Sequence, residues 1–207
     1  MSNAWLSIPL EDYEGHMADA AVQQSTALSE LFRRALDRFR PQSVAVLGVA
    51  GGNGLEHIDP TVTTRVIGVD INQSYLDSVQ YRFGALTGLE LYCRDLNQGE
   101  LDLPGVDLVH AAMIFEHAGL GRALDSAVSL VVRSGALSVV LQLPSTSEPG
   151  VAETSYSSMQ KVKGRFALID TAEFQGLLAQ RGFRLIDQEH RPLPGGKGFW
   201  FGAFTSD

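Results

Sequence analysis

The sequence predicts an α/β protein with a mostly parallel sheet. From about residue 43, short runs rich in β-branched residues alternate with segments whose apolar residues recur at helical spacing. The first run, residues 44–47, is followed at once by a glycine-rich stretch, residues 48–54. The last two runs are joined by a turn-like stretch, residues 192–198, which predicts an antiparallel hairpin at the end of the sheet.

The individual elements follow from the same patterns. The predicted strands are residues 44–47, 65–69, 89–93, 106–111, 136–143, 183–188 and 199–204. The predicted helices are residues 18–39 before Pro41, a helix from Tyr75 closed by Gly84, a helix from Ala123 that ends at Ser134 and Gly135, and a helix after the capping-box pair Asp170 and Glu173. Residues 145–165 are rich in Ser, Thr, Gly and Glu, which predicts a loop or lid.

Length and composition restrict the class of protein further. The 207 residues predict one domain, 1–207, in which a helical arm (1–42) precedes a core (43–207). The net charge of −8 disfavours nucleic acid as a partner, because that binding draws mainly on Lys and Arg. The single cysteine, Cys93, disfavours a disulfide framework or a thiolate-rich zinc site, and the five scattered histidines disfavour any metal site.

Two patterns bear on location. The sequence has no run of about 18 apolar residues, so we expect no membrane span and no membrane partner. Its first residues include Glu11, Asp12 and Glu14, and no basic region precedes an apolar stretch, so no signal peptide is indicated. We therefore expect a cytoplasmic protein, and the sequence does not indicate its oligomeric state.

The glycine-rich stretch has a specific spacing. Small residues stand at every second position, namely Gly48, Ala50, Gly52 and Gly54. Glycine in such a loop permits a tight turn and lets backbone N–H groups approach a ligand. No start between residues 48 and 54 gives the Gly-x-Gly-x-x-Gly fingerprint of dinucleotide-binding proteins, and no Gly-Lys-Ser/Thr follows. The loop is therefore neither a nicotinamide-cofactor fingerprint nor a phosphate-cradling P-loop.

An acidic residue follows at the end of the second predicted strand. Asp70 lies about 20 positions beyond the first glycine, where a carboxylate can accept hydrogen bonds from both hydroxyls of a ribose. Either feature alone is weak, because glycines after a strand often only turn the chain. Together, in this order, they predict a nucleoside-containing ligand.

These residues resemble the motifs of the class I S-adenosylmethionine-dependent methyltransferases of the small-molecule type. The first motif of that family, hydrophobic-Asp/Glu-x-Gly-x-Gly-x-Gly, maps onto residues 48–54, with Gly48 in place of the acid and Ala50 in place of the first glycine. Asp70 matches the ribose-binding acid, and Asp95 matches the acid that meets the adenine amino group. Residues 107–117 resemble the fourth-strand motif with its Glu-His ending, so the resemblance covers about residues 43–143.

The resemblance implies a fold, a cofactor and a set of site residues. It implies a Rossmann-like three-layer sandwich whose seven-stranded sheet has the order 3-2-1-4-5-7-6 with an antiparallel last strand, and S-adenosylmethionine as cofactor. The implied cofactor-binding residues are Gly48, Val49, Ala50, Gly52, Asn53, Gly54, Asp70, Ile71, Asp95, Leu96, Ala111, Ala112 and Met113.

Methyl transfer from a sulfonium is an in-line displacement, so positioning can supply much of the rate, and a base is needed only if the acceptor must lose a proton. His110 and His117, just beyond the fourth strand, are the candidate catalytic residues; the alternatives are a strand-end side chain bonded to the backbone and packing at a helix start. Tyr13, His16 and Gln23 of the arm are candidate substrate residues, the alternative being an ordinary docking helix.

The sequence therefore predicts methyl transfer to a small-molecule acceptor, or alternatively a non-catalytic module or scaffold that binds the donor or its product. Glycine spacing disfavours a nicotinamide oxidoreductase. The lack of an Asp/Asn-Pro-Pro-Tyr or a Pro-Cys motif disfavours DNA base methylation. Residues 195–198, Gly-Gly-Lys-Gly, hint at anion binding, but we interpret them as the loop of the terminal hairpin.

Overall fold

Seven strands form one sheet in the order β3-β2-β1-β4-β5-β7-β6. The computed structural model describes residues 3–98, 101–145 and 151–206. The strands are β1 Ser43–Leu47, β2 Arg65–Asp70, β3 Leu89–Cys93, β4 Val106–Ala112, β5 Val131–Leu143, β6 Phe183–Pro192 and β7 Gly198–Ser206. The first five run parallel, and β7 is antiparallel to both β5 and β6. The predicted order and the terminal hairpin are confirmed.

Helices cover both faces of this sheet. The helices are α1 Leu10–Ala18, α2 Gln24–Phe39, α3 Gln73–Phe83, α4 Phe115–Ala118, α5 Arg122–Ser129, α6 Gln160–Lys163 and α7 Thr171–Ala179. Short 3₁₀ turns occur at Ala4–Ser7, Leu55–His57, Ser157–Met159 and Pro194–Gly196. Among the described residues, no helix combines the length and the apolar character needed to cross a bilayer.

Side-chain alternation along the strands produces the three layers. In β1, Val44 and Val46 point to the face covered by α2 and α3, while Ala45 and Leu47 belong to the cluster beneath α5 and α7. Successive residues of a strand face opposite sides, so a strand covered on both sides must be apolar at nearly every position. This requirement explains why the central strands read as continuous apolar runs.

The structure corrects two of the predicted helices. The helix predicted over residues 18–39 is interrupted, because α1 ends at Ala18 and α2 begins only at Gln24, after Gln23 in the left-handed region (φ 47°). The helix predicted from Ala123 stops at Ser129, and β5 begins at Val131. Gly135 therefore lies in β5, at the irregular pairing with β4, and does not end a helix.

Candidate functional site

A cavity of about 170 Å³ lies beyond the carboxyl ends of the parallel strands. It is bounded by the loop after β1, the end of β2, the residues that follow β3 and β4, the N-terminal arm, and the segment after β5. Ligands of open α/β sheets bind at this edge, where the chain leaves the strands in diverging directions. The cavity therefore occupies the position at which the sequence predicts the nucleoside ligand.

The glycine-rich loop forms one wall of the cavity. Gly48 (φ 70°) and Ala50 (φ 47°) both have left-handed backbone and both line the cavity. A Cβ added to Gly48 would come within 2.9 Å of the Cδ1 atom of Ile114, so an acid at this place would require the end of the Ile114 side chain to shift. Gly52 and Gly54 also have positive φ but do not line the cavity. They lie against the side chains of Phe83 and Phe32, respectively.

Asp70 joins the end of β2 to this loop. Its Oδ2 atom accepts the N–H of Ala50 at 2.9 Å, and its Oδ1 atom accepts the N–H of Asn72 at 2.9 Å. The side chain is only 8% exposed yet lines the cavity. Burial raises the pKa of this carboxyl, while the hydrogen bonds from the backbone of Asn72, Ala50 and Ile71 act in the opposite direction.

A second carboxylate lies beyond β3. Asp95 lines the cavity beside Leu96, and its Oδ1 atom accepts the N–H of Asn97 at 2.9 Å. Its Oδ2 atom accepts a bond from the side-chain amide of Gln98 at 3.3 Å. Two hydrogen-bond acceptors thus lie along one side of the cavity, one past β2 and one past β3, as a ligand with two separate donor groups requires.

The N-terminal arm covers this side of the cavity. The backbone carbonyl of Trp5 accepts the Asn72 amide at 2.9 Å, and that of Ile8 accepts the Tyr75 hydroxyl at 2.9 Å. Tyr13 lines the cavity and stacks on Tyr75 with ring centroids 6.3 Å apart. The arm is therefore fixed to the end of β2 and to α3 by hydrogen bonds as well as by packing.

The segment after β5 completes the cover. Within it, Met159 and Val162 are buried against Ile8 of the arm in a small apolar cluster, with Trp5, Tyr13 and Tyr156 at its edge. The predicted loop or lid over residues 145–165 thus contains a 3₁₀ turn and α6, and part of it lines the cavity. Residues 146–150 of that prediction lie outside the described residues.

The opposite end of the cavity is formed by the arm, α2, the end of β5 and the β6–β7 hairpin. Gln24 donates its amide to Gln142 at 3.2 Å, and both side chains are buried. His16 bonds through Nδ1 to the Thr154 hydroxyl at 2.9 Å. Lys197 from the hairpin also reaches the cavity and is 9% exposed. Burial, and then the positive charge of Lys197, lower the pKa of His16.

Of the Glu-His pair beyond β4, His117 lines the cavity and Glu116 is buried. His117 lines the cavity, packs edge-on against Trp5 at 4.8 Å, and has a buried Nδ1 atom with no hydrogen-bond partner among the described residues. Burial lowers the pKa of His117 to about 4. Glu116 is buried and accepts the backbone N–H of Gln142 at 2.7 Å through Oε1, and burial raises its pKa to about 7.

His110 lies in the core instead. It is 3% exposed, stacks on Phe32 at 4.5 Å, and shares a 2.8 Å hydrogen bond with the Ser138 hydroxyl through Nδ1. Burial lowers its pKa to about 3. The residue is not among those that line the cavity. This placement favours a structural role for His110, although the candidate catalytic role stays untested.

The cavity brings together many, but not all, of the residues singled out in the sequence. Those that line it are Gly48, Ala50, Asp70, Ile71, Asp95, Leu96, Ala112, Met113, Tyr13, His16 and His117. Those that do not are Val49, Gly52, Asn53, Gly54, Ala111, His110 and Gln23. Gln23 is exposed, and the neighbouring Gln24 lines the cavity in its place. Within the described part of the chain, no group of three or more His, Cys, Asp or Glu side chains could hold a metal ion.

Sequence reasoning missed Trp5, Gln24, Gln142 and Lys197 as cavity residues. Lys197 alone had a signal, the glycine-flanked lysine of the hairpin loop. The arm residue Trp5 and the two glutamines had none, because nothing in their spacing distinguishes them from ordinary surface or core positions.

Comparison with known proteins was made at the levels of sequence and structure. No protein-family model matches the chain, and no curated protein matches its sequence. Solved structures match over nearly the whole chain. The N-methyltransferase NodS from Bradyrhizobium japonicum WM9, in complex with S-adenosyl-L-homocysteine, matches with a TM-score of 0.69 at 14% identity, covering 99% of each chain.

Magnesium protoporphyrin IX methyltransferase (ChlM) from Synechocystis PCC 6803, with bound S-adenosylmethionine, matches with a TM-score of 0.70 at 13% identity, covering 100% of this chain and 98% of that one. This chain has the class I methyltransferase fold. The [4+2]-cyclase SpnF shares the methyltransferase fold, with a TM-score of 0.68 at 11% identity over 89% of this chain and 82% of that one. At such identities the likeness shows the fold alone.

Proposed function

We propose that this protein binds S-adenosylmethionine in the cavity and transfers its methyl group to a small-molecule acceptor. The methyltransferase fold and the motif-bearing strand ends support this proposal, as do the donor or its product bound in the NodS and ChlM structures. A cytoplasmic location belongs to the same proposal and rests on the single cysteine.

The observation that carries the proposal is the placement of Asp70. Its carboxylate faces the cavity from the end of β2, within hydrogen-bond distance of the loop that follows β1. A carboxylate offers lone pairs in two directions, and two vicinal hydroxyls of a ribose present two donors. With Asp95 past β3 as a second acceptor, the two carboxylates suit a nucleoside whose base amino group extends toward β3.

The chemistry of the remaining residues suits catalysis by positioning. S-adenosylmethionine, when bound, supplies an activated methyl group on sulfur. Ala112, the last residue of β4, and Met113 line the cavity, as do residues of the arm and of the 151–166 segment. His117 is neutral near pH 7, and a pKa near 4 makes it a weak base. An acceptor that needs little help in losing a proton fits this environment best.

One alternative is favoured by specific observations. Gly48 stands where the family has an acid, and His117 in α4, which lines the cavity, is a weak base. SpnF is a cyclase on the same fold, so the fold alone does not establish methyl transfer. A non-catalytic protein that binds the donor or its product therefore remains the second candidate function.

Calorimetry with S-adenosylmethionine and S-adenosylhomocysteine tests both candidates. Binding of both compounds is expected, and no heat and no thermal shift at millimolar concentration would exclude both functions. Formation of S-adenosylhomocysteine in the presence of an acceptor panel, after subtraction of the slow spontaneous breakdown of the methyl donor, then supports the enzyme. Tight binding without turnover across the panel supports the non-catalytic module.

A further inference from the structure

One buried amide in the cavity keeps hydrogen-bonding capacity that the described part of the protein does not use. Gln24, the first residue of α2, lines the cavity and is 4% exposed. Its side chain makes one hydrogen bond to the described residues, to Gln142 at 3.2 Å. A carboxamide offers two N–H donors and an oxygen with two lone pairs, so one bond leaves a donor and an acceptor unused, whichever way the amide is turned. Buried polar groups are normally hydrogen-bonded, so this amide is suited to meet a ligand.

The fold holds this amide in place before any ligand arrives. Gln23, directly before it, has left-handed backbone, and the N–H groups of Val22 and Gln23 both bond to the carbonyl of Asp19. This turn sets the start of α2. From Ala27 onward the buried residues of α2 pack against the sheet. The backbone of Gln24 is therefore fixed on both sides, and a ligand that binds its side chain does not have to order that backbone.

The amide lies away from the ribose end of the cavity. Its partner Gln142 is in β5, which is three strands from β2 in the order β2-β1-β4-β5. With neighbouring strands about 4.8 Å apart, the ends of β2 and β5 are about 14 Å apart at the level of the sheet. In a donor whose ribose is bound by Asp70, the methyl group is only a few bonds from the ribose. Gln24 therefore lies beyond that methyl group, on the side of the methyl acceptor.

The charged groups of the described cavity lie at its other end or are already engaged. Asp70, Arg94 and Asp95 are at the ends of β2 and β3. Lys197, on the same side as the amide, already has an interaction within the protein. His16, with its pKa lowered by burial, is neutral near pH 7. Because an ion buried without a partner is far more costly than a neutral group, this side of the cavity favours an uncharged ligand.

The wall near the amide is otherwise largely apolar. Val22 precedes Gln24 by two residues, Met17 follows His16, and Ala152 comes from the segment after β5. All three side chains are buried and line the cavity. Apolar ligand surface placed against them is favoured by roughly 25 cal/mol per Å². A ligand that fits this side is therefore mainly apolar and carries one neutral polar group.

We propose that the methyl acceptor is an uncharged, mainly apolar small molecule whose hydroxyl or carboxamide group is bound by Gln24. A group of either kind both donates and accepts hydrogen bonds, so it matches the unused donor and acceptor of the amide. This inference rests on the proposed function, since it assigns a substrate class to the same cavity. Gln24 is a binding residue that sets specificity, and it takes no part in moving a proton.

The experiment compares five small compounds on the protein saturated with S-adenosylhomocysteine. Benzyl alcohol and benzamide carry the proposed kind of group, toluene carries no polar group, benzoate is an anion, and benzylamine is a cation at pH 7. Titrations followed by saturation-transfer NMR give the dissociation constant of each compound. Benzyl alcohol or benzamide is expected to bind more tightly than the other three.

A variant of Gln24 then tests whether the amide is responsible. Gln24→Met keeps the length of the side chain and removes its polar group. It is expected to weaken the binding of benzyl alcohol or benzamide by about three- to tenfold, the effect of one neutral hydrogen bond, and to leave toluene bound no more weakly. Gln80→Met, at an exposed position on α3, makes the same exchange and is expected to change nothing. Circular dichroism checks that both variants are folded.

Each other outcome has a defined meaning. If none of the five compounds binds, or if toluene, benzoate or benzylamine binds as tightly as the better neutral polar compound, the inference is wrong. That comparison uses the unaltered protein, so it decides even if Gln24→Met does not fold. If Gln24→Met weakens all compounds equally, none of them, or S-adenosylhomocysteine, the inference is again wrong. Failure of the unaltered protein to bind S-adenosylhomocysteine overturns the proposed function itself, before any other compound is added.

Discussion

The carboxylate of Asp70 accepts the backbone N–H of Ala50 at 2.9 Å and thereby joins the end of β2 to the loop after β1. Asp70→Ala is expected to weaken S-adenosylmethionine binding by about 1–3 kcal/mol, because ribose hydroxyls would lose their acceptor in a buried site. Calorimetry measures the change. Asp77→Ala, on the exposed face of α3, is the control and is expected to leave the affinity unaltered. An unchanged affinity in Asp70→Ala would place the donor elsewhere in the cavity.

The absence of the usual acid at position 48 has a steric explanation that can be tested. Gly48→Asp is expected to lower the free energy of unfolding by about 1–2 kcal/mol or more, because the backbone is left-handed there. Its Cβ would also lie 2.9 Å from Cδ1 of Ile114. Ile114→Val removes that atom, so the double variant is expected to recover part of the loss in urea denaturation. Equal stability of the single and double variants would contradict this explanation.

The two histidines beyond and within β4 are expected to respond differently to truncation. His110→Ala should cost about 2–4 kcal/mol of stability, since it opens a core cavity beside Phe32 and removes the shorter of the two hydrogen bonds of the Ser138 hydroxyl. Its affinity for S-adenosylhomocysteine should not change. His117→Ala should cost less, because within the described part of the chain its buried Nδ1 atom has no hydrogen bond to lose. A larger affinity change in His110→Ala than in His117→Ala would contradict the placement of both residues.

The buried Glu116 predicts a defined pH dependence of stability. Because burial raises its pKa from 4.5 to about 7, the folded protein holds this proton more tightly than the unfolded chain does. Its contribution is therefore complete below about pH 4.5 and is lost as the pH rises through about 7. One pKa unit corresponds to about 1.4 kcal/mol, so the loss is about 3 kcal/mol in all.

Glu116→Gln removes this titration. The stability of the variant relative to the unaltered protein is expected to rise by about 3 kcal/mol between about pH 4.5 and about pH 8.5. His110 and His117, with lowered pKa values, lose stability in the opposite direction as the pH falls, but they are common to both proteins and cancel. Urea denaturation at the two pH values gives the difference, with the exposed Glu11→Gln as control. Parallel pH profiles would show that Glu116 does not titrate in this range.

The strands were predictable because most contain a short apolar run bounded by clear breaks, and the resemblance supplied their order. The bounds of the helices were less predictable than those of the strands. The interruption between α1 and α2 depends on the left-handed Gln23, and no glycine or proline marks it in the sequence. Val131 satisfies a helical spacing as well as a strand pattern, and its pairing with Val106 decides in favour of the strand.

Some residues of the site were likewise predictable from the sequence, and others were not. Asp70 and Asp95 were predictable because each directly follows a strand, and a strand end fixes where a side chain lies. The choice between Gln23 and Gln24 depends on where α2 begins, which the spacing of Leu28 and Leu31 does not determine. The reach of Lys197 into the cavity depends on the antiparallel insertion of β7 beside β5, so it follows from the assembled sheet and not from the loop sequence.

Trp5 connects the two covers of the cavity. Its backbone carbonyl is bonded to Asn72, its ring packs against His117, and it borders the cluster that Ile8 forms with Met159 and Val162. A movement of Trp5 would therefore loosen the contacts of the arm with the end of β2, with α4 and with the segment after β5 together. The other tryptophan, Trp200, is fully buried in the sheet. The fluorescence of Trp5 is therefore expected to report any change in these contacts when a ligand binds.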